Sequence, residues 1–134
     1  MMLRAEGDFE VKNVPLPADD VTADTAIDRY ALNKQYRGGL EASAKGEMLG
    51  AGDPASGAAG YVAMEEVTGS LLGRTGSFTL QHSGTMQNGK FELKVHIVPG
   101  TGTSELQGIA GTMTFIIAGA KHSYTLDYTV PASL

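Results

Sequence analysis

From Tyr61 to Val98 apolar and polar positions alternate with a period of two, and the alternation turns over at Leu72-Gly73 and at Asn88-Gly89. Two-residue hairpin loops fix register, because a slip of one residue would move every side chain to the opposite face. The first loop sets Leu71 against Arg74, Gly69 against Gly76, Val67 against Phe78, Glu65 against Leu80, Ala63 against His82 and Tyr61 against Gly84. The second sets Met86 against Phe91, Gly84 against Leu93, His82 against Val95 and Leu80 against Ile97. Both hairpins therefore agree on one face, largely apolar, that also carries a glutamate and a histidine. The other face reads Glu66, Thr68, Ser70, Thr79, Gln81, Ser83, Thr85, Glu92, Lys94 and His96, a surface suited to water.

The same period runs through most of the chain. A first strand covers about residues 7–14 and ends at Pro15-Leu16-Pro17; a second (about 25–37) and a third (about 40–49) meet at Gly38-Gly39. A strict turn there sets Tyr30 and Leu32 beside Lys45 and Glu47, so either the hairpin is bulged or Glu47 is a further inward acid. After a glycine-punctuated connection over residues 99–104, strands at about 106–118 and 121–130 turn at Gly119-Ala120. That hairpin pairs Ile117 with His122, Phe115 with Tyr124, Met113 with Leu126, Gly111 with Tyr128 and Ile109 with Val130, again apolar with one histidine. Eight strands in a meander leave two exposed edges unless the sheet closes. The expected fold is all-β: one domain over residues 1–134, an eight-stranded antiparallel up-and-down β-barrel. Lipid around such a barrel would have to meet either Glu92 and Lys94 or Glu65 and Arg74, so the apolar face points inward and encloses side chains or one small ligand.

Composition narrows the partners. The 134 residues include 18 glycines and neither cysteine nor tryptophan, which removes disulfides, thiolate metal centres and thiol nucleophiles. The formal net charge is −5, and residues 1–30 hold seven acids against three bases. No basic stripe follows, so nucleic acid is not an expected partner. The spacing of Asp19, Asp20 and Asp24 lacks the carboxylate series of a calcium loop and reads as solvated acid. Without a signal-like start or a long apolar run, the expected location is cytoplasmic, with no membrane partner.

Tyr61-Val62-Ala63-Met64-Glu65, Gly73 to Phe78 and Leu80-Gln81-His82-Ser83-Gly84 resemble a family of small uncharacterised bacterial proteins with an allene-oxide-cyclase-like, calycin-like barrel. So do Gly38 to Leu40, Gly46 to Leu49, Val98 to Thr103 and His122-Ser123-Tyr124. The resemblance spans nearly the whole chain and implies the same eight-stranded barrel, with no activity to carry over. One departure is Gly102-Thr103-Ser104-Glu105-Leu106, where the family pattern has Gly-Thr-Gly-Glu-Leu. If that loop shapes a barrel mouth, specificity differs here.

Candidate chemistry centres on Glu65 and His82, diagonal neighbours within reach of long side chains. They suit a general acid and base or a ligand-orienting pair; a self-satisfied buried pair is the structural alternative. A site with His122 as a third metal ligand requires side chains at different heights to converge, so no metal or other cofactor is expected. Arg74, beyond Phe78, can hold an anionic group or cap strand-end carbonyls, or pair with an acid such as Glu47. Tyr61 over Gly84 and Tyr128 over Gly111 suit aromatic cover of curved sheet, with hydroxyls available to a pocket. The expected ligand-lining set is Tyr61, Arg74, Phe78, Leu80, Phe91, Val95, Phe115, His122, Tyr124 and Tyr128. His96, outward, is solvated; Gly100-Thr101-Gly102 precedes no helix and is no dinucleotide loop. The leading expectation is a binder of a small, largely apolar ligand. An isomerase or cyclase using Glu65 and His82, and a filled, non-catalytic homo-oligomer, are the alternatives.

Overall fold

A computed structural model describes residues 1–132. The strands are β1 (Leu3–Leu16), β2 (Asp28–Gly38), β3 (Leu40–Asp53), β4 (Ala58–Leu71), β5 (Arg74–Gln87), β6 (Lys90–Ile97), β7 (Ala110–Ala118) and β8 (Lys121–Thr129). Each pairs antiparallel with its sequence neighbour, and β1 closes on β8 to make an up-and-down barrel. Two single-turn 3-10 helices, Pro54–Ser56 and Ser104–Leu106, sit in connections. No helix among the described residues is long and apolar enough to cross a membrane.

Both hairpins of the β4–β5–β6 meander hold the expected register, from Leu71 with Arg74 to Tyr61 with Gly84 and from Met86 with Phe91 to Leu80 with Ile97. The β7–β8 ladder follows suit from Ile117 with His122 to Gly111 with Tyr128. Strand β7 begins at Ala110, so the anticipated pair of Ile109 with Val130 lies beyond the ladder. The β2–β3 hairpin resolves as the bulge: Tyr36 pairs with Ala42 and Ala31 with Glu47, one residue away from a strict Gly38-Gly39 turn. Gly39 fills the extra position, donating its N–H to Glu6 O while its carbonyl accepts from Leu72 N. Glu47 consequently points outward and pairs with Arg29 at 2.8 Å.

The seams are unequal. Strands β3 and β4 pair along their whole length, from Leu40 with Leu71 to Asp53 with Ala58, whereas β6 and β7 share a single bridge, His96 with Thr112. On the mouth side of that bridge no further pairs join the two strands. One end of the barrel, near the Leu72-Gly73 turn, is packed solid by Leu40, Leu71, Leu106, Ile109, Leu126 and Tyr128, none more than 4% exposed. The other end carries the β1–β2 loop and the Asn88-Gly89 and Gly119-Ala120 turns, and there the interior is open.

Candidate functional site

Alternation along β2 places Leu32, Lys34 and Tyr36 on the inside, with Lys34 6% and Tyr36 0% exposed. The neighbouring inward positions of β3 are small: Ala42, Ala44 and Gly46. Gly46 stands directly between Leu32 and Glu65, and a Cβ there would lie 1.8 Å from Met64 O. This row of short residues lets β2 side chains reach over β3 to Glu65 on β4. Lys34 Nζ lies 3.1 Å from Glu65 Oε2, and the Tyr36 hydroxyl donates to Glu65 Oε1 at 2.5 Å.

His82, on β5, completes the cluster from the far side. Its Nε2 is 3.3 Å from Glu65 Oε1 and is buried without a well-formed hydrogen bond, as is Glu65 Oε2, which faces the Lys34 ammonium instead. Its Nδ1 faces the Tyr61 hydroxyl at 3.4 Å. Lys34 also lies over aromatic faces, 4.5 Å from the Phe115 centroid and 5.2 Å from that of Phe9. Such contacts offset part of the cost of removing an ammonium from water.

The electrostatics follow from this packing. Burial alone would raise the Glu65 carboxyl, but the adjoining His82, the Lys34 charge and the Tyr36 hydroxyl outweigh it and hold it below its ordinary value. Burial pushes the Lys34 ammonium down, with Glu65 opposing. Burial, aided by the negative charge of Glu65, pushes the Tyr61 hydroxyl up to about 12 and that of Tyr36 well above its usual range. The cluster is thus an ammonium and a carboxylate framed by two neutral phenols.

Above it lies a cavity of about 230 Å³ whose floor is Lys34, His82 and Tyr61 and whose walls include Phe9, Phe115 and Leu93. Asn13, Met48, Tyr61 and Phe91 also border a wider funnel of about 390 Å³ at the barrel mouth, so cavity and exterior are continuous. Phe91 is half exposed there, its ring parallel to that of Tyr61 at 6.3 Å. Tyr61 also covers Gly84: a Cβ on Gly84 would meet the tyrosine ring at 2.7 Å. The tyrosine therefore serves the curved sheet and the pocket together.

Of the anticipated lining residues, Tyr61, Phe91, Phe115 and His122 border the cavity. Phe78, Leu80, Val95, Tyr124 and Tyr128 belong to the packed core, at most 3% exposed, and border no part of it. The Tyr124 hydroxyl donates to the Arg37 carbonyl and accepts from Leu40 N, which ties β8 to the β2–β3 bulge. Arg74 stands at the closed end, outside the lining of the cavity, and donates to the Pro131 carbonyl at 3.3 Å, while Glu47 pairs with Arg29. Glu65 touches His82 as expected but lies beneath the floor. His122 stays near the mouth against the Phe9 ring, and no group of three His, Asp or Glu side chains forms a metal site among the described residues. The 103–106 connection, with Leu106 buried, plugs the closed end and shapes no mouth.

Sequence reasoning missed Lys34 and Tyr36. The signal was present in Tyr30, Leu32 and Tyr36, whose alternation puts Lys34 on their face, and in the need of a buried carboxylate for a cation.

The family model for a protein of unknown function, DUF3224, matches residues 5–128. Among solved structures, a DUF3224 protein of unknown function from Shewanella oneidensis MR-1 is 40% identical and superposes with a TM-score of 0.89, covering 99% of this chain and 100% of its own. No curated protein matches the chain.

Proposed function

The chain belongs to the DUF3224 family, whose function is unknown, and for this member we propose that the barrel binds one small, largely apolar molecule through its open mouth. The observation that carries this reading is the half-filled interior. A core selected only for stability would close over its voids, since unfilled space forfeits packing energy. Here a cavity walled by Phe9, Leu93 and Phe115 ends on the charged Lys34 and on His82, with its outlet unobstructed. Mostly apolar walls with a few convergent polar groups are the general form of small-ligand sites. The occupant lies against the rings and sets a polar end on the floor.

The cavity favours this reading over a catalytic role for Glu65, because Glu65 is not among the residues that line it and its carboxylate is engaged by Lys34 and Tyr36. His82 is the side chain of that pair positioned to meet a ligand. Native mass spectrometry of the purified protein, with titration of a fluorescent hydrophobic probe, tests the binding reading. One-to-one uptake is expected, and Leu93→Trp, which fills the cavity, should abolish it. A protein that retains nothing and takes up no probe sinks the proposal.

A further inference from the structure

We infer that the polar end of the occupant is an uncharged carbonyl received by Lys34, and not a carboxylate; the inference rests on the binding reading above. The ammonium carries three N–H donors. Its oxygen partners are the two oxygens of the single Glu65 carboxylate, at 3.1 and 3.3 Å and able to share one N–H, and, at 3.4 Å, the Tyr36 hydroxyl, while it also meets the faces of Phe115 and Phe9. Aromatic faces attract a cation but accept hydrogen bonds weakly, so an acceptor entering from the mouth completes the coordination of Lys34. The Tyr61 hydroxyl, on the same floor, is a second potential donor.

Charge decides which acceptor. The buried charged or polar side chains among the described residues are Lys34, Glu65 and His82, so Glu65 already neutralises the one interior lysine. The arginine on an inward register, Arg74, is at the closed end and bound to Pro131. A carboxylate ligand would bring a second anion against Glu65 with a single ammonium between them, in a site where water screens little. A ketone or aldehyde brings a strong acceptor without that repulsion and sheds less hydration on entry. Where that carbonyl is attached to an aromatic ring, its flat frame also suits a cavity lined by Phe9, Phe115 and Tyr61.

Calorimetric titration of the full chain at about pH 8 with 2-acetylnaphthalene, 2-naphthoate and 2-methylnaphthalene separates the cases. The ketone should bind about tenfold more tightly than either of the others. Lys34→Met should reduce ketone affinity to that of methylnaphthalene and leave the hydrocarbon unchanged. Lys34→Met/Glu65→Gln, which strands no buried charge, should do the same and serves if the single variant fails to fold. Naphthoate binding as tightly as the ketone overturns the inference, as does a ketone preference that survives in either variant. Equal binding of ketone and hydrocarbon also overturns it while leaving the binding reading intact; failure of all three probes overturns both.

Discussion

Lys34 and Glu65 carry the largest single electrostatic commitment in the interior, at 6% and 1% exposed. Removing one member strands the other in low dielectric, so Lys34→Met or Glu65→Gln should each cost about 3–5 kcal/mol in urea unfolding. The double variant Lys34→Met/Glu65→Leu should cost less than either single change, because no charge is left behind. The pH dependence follows from the same pair. A carboxyl held below its ordinary 4.5 contributes stability that is present above that value and lost as pH falls through the folded value. The urea midpoint should therefore fall as pH drops from about 5 to about 3, and less steeply in Glu65→Gln. Lys34 acts with the opposite cost: with its ammonium pushed below 10.5, the folded chain binds fewer protons than the unfolded one, and stability rises with pH from the folded value up to 10.5. Glu65 and His82 were legible as neighbours because Asn88-Gly89 and Leu72-Gly73 fixed their register. Lys34 was not, because its partner lies two strands away, across a hairpin whose bulge hides the pairing from any turn rule.

At the level of elements, the turns explain both what was readable and what was left strained. Asn88 has a φ of 53°, a left-handed conformation that asparagine tolerates well, and it opens a two-residue turn that its sequence announces. Leu72 occupies the equivalent position at φ 46° and is half exposed, a poor residue for that conformation. Leu72→Asn should raise stability by about 0.5–1 kcal/mol without altering register, read as a higher thermal midpoint with an unchanged circular dichroism spectrum. Ser104 has a φ of 52°, a left-handed conformation that glycine adopts more readily, so the backbone carries strain at the plug of the closed end. The β2–β3 hairpin shows the limit of periodicity: the alternation of β2 was sound, but a single inserted residue, Gly39, decided how it met β3.

For the molecule as a whole, eight alternating strands and the need to hide two edges were enough to imply closure. The division of the barrel into a solid half and a hollow half was not implied, because side-chain volumes along one strand do not reveal what the seven others leave unfilled. The seams add a dynamic expectation. Amide hydrogen exchange should be fastest, within the sheet, along the margins of β6 and β7 on the mouth side of the His96–Thr112 bridge, and slowest in β4, which is paired along both flanks. Uniform protection around the barrel would contradict this.

That loosely joined seam borders the cavity, since Leu93 and Phe115 flank it from opposite strands. A wall held by one bridge can shift without breaking a ladder, so under the binding reading proposed above the width of the cavity is set at this seam. A covalent staple across β6 and β7 should then fix that width, and the range of probe sizes taken up should narrow while the register of both strands stays as it is.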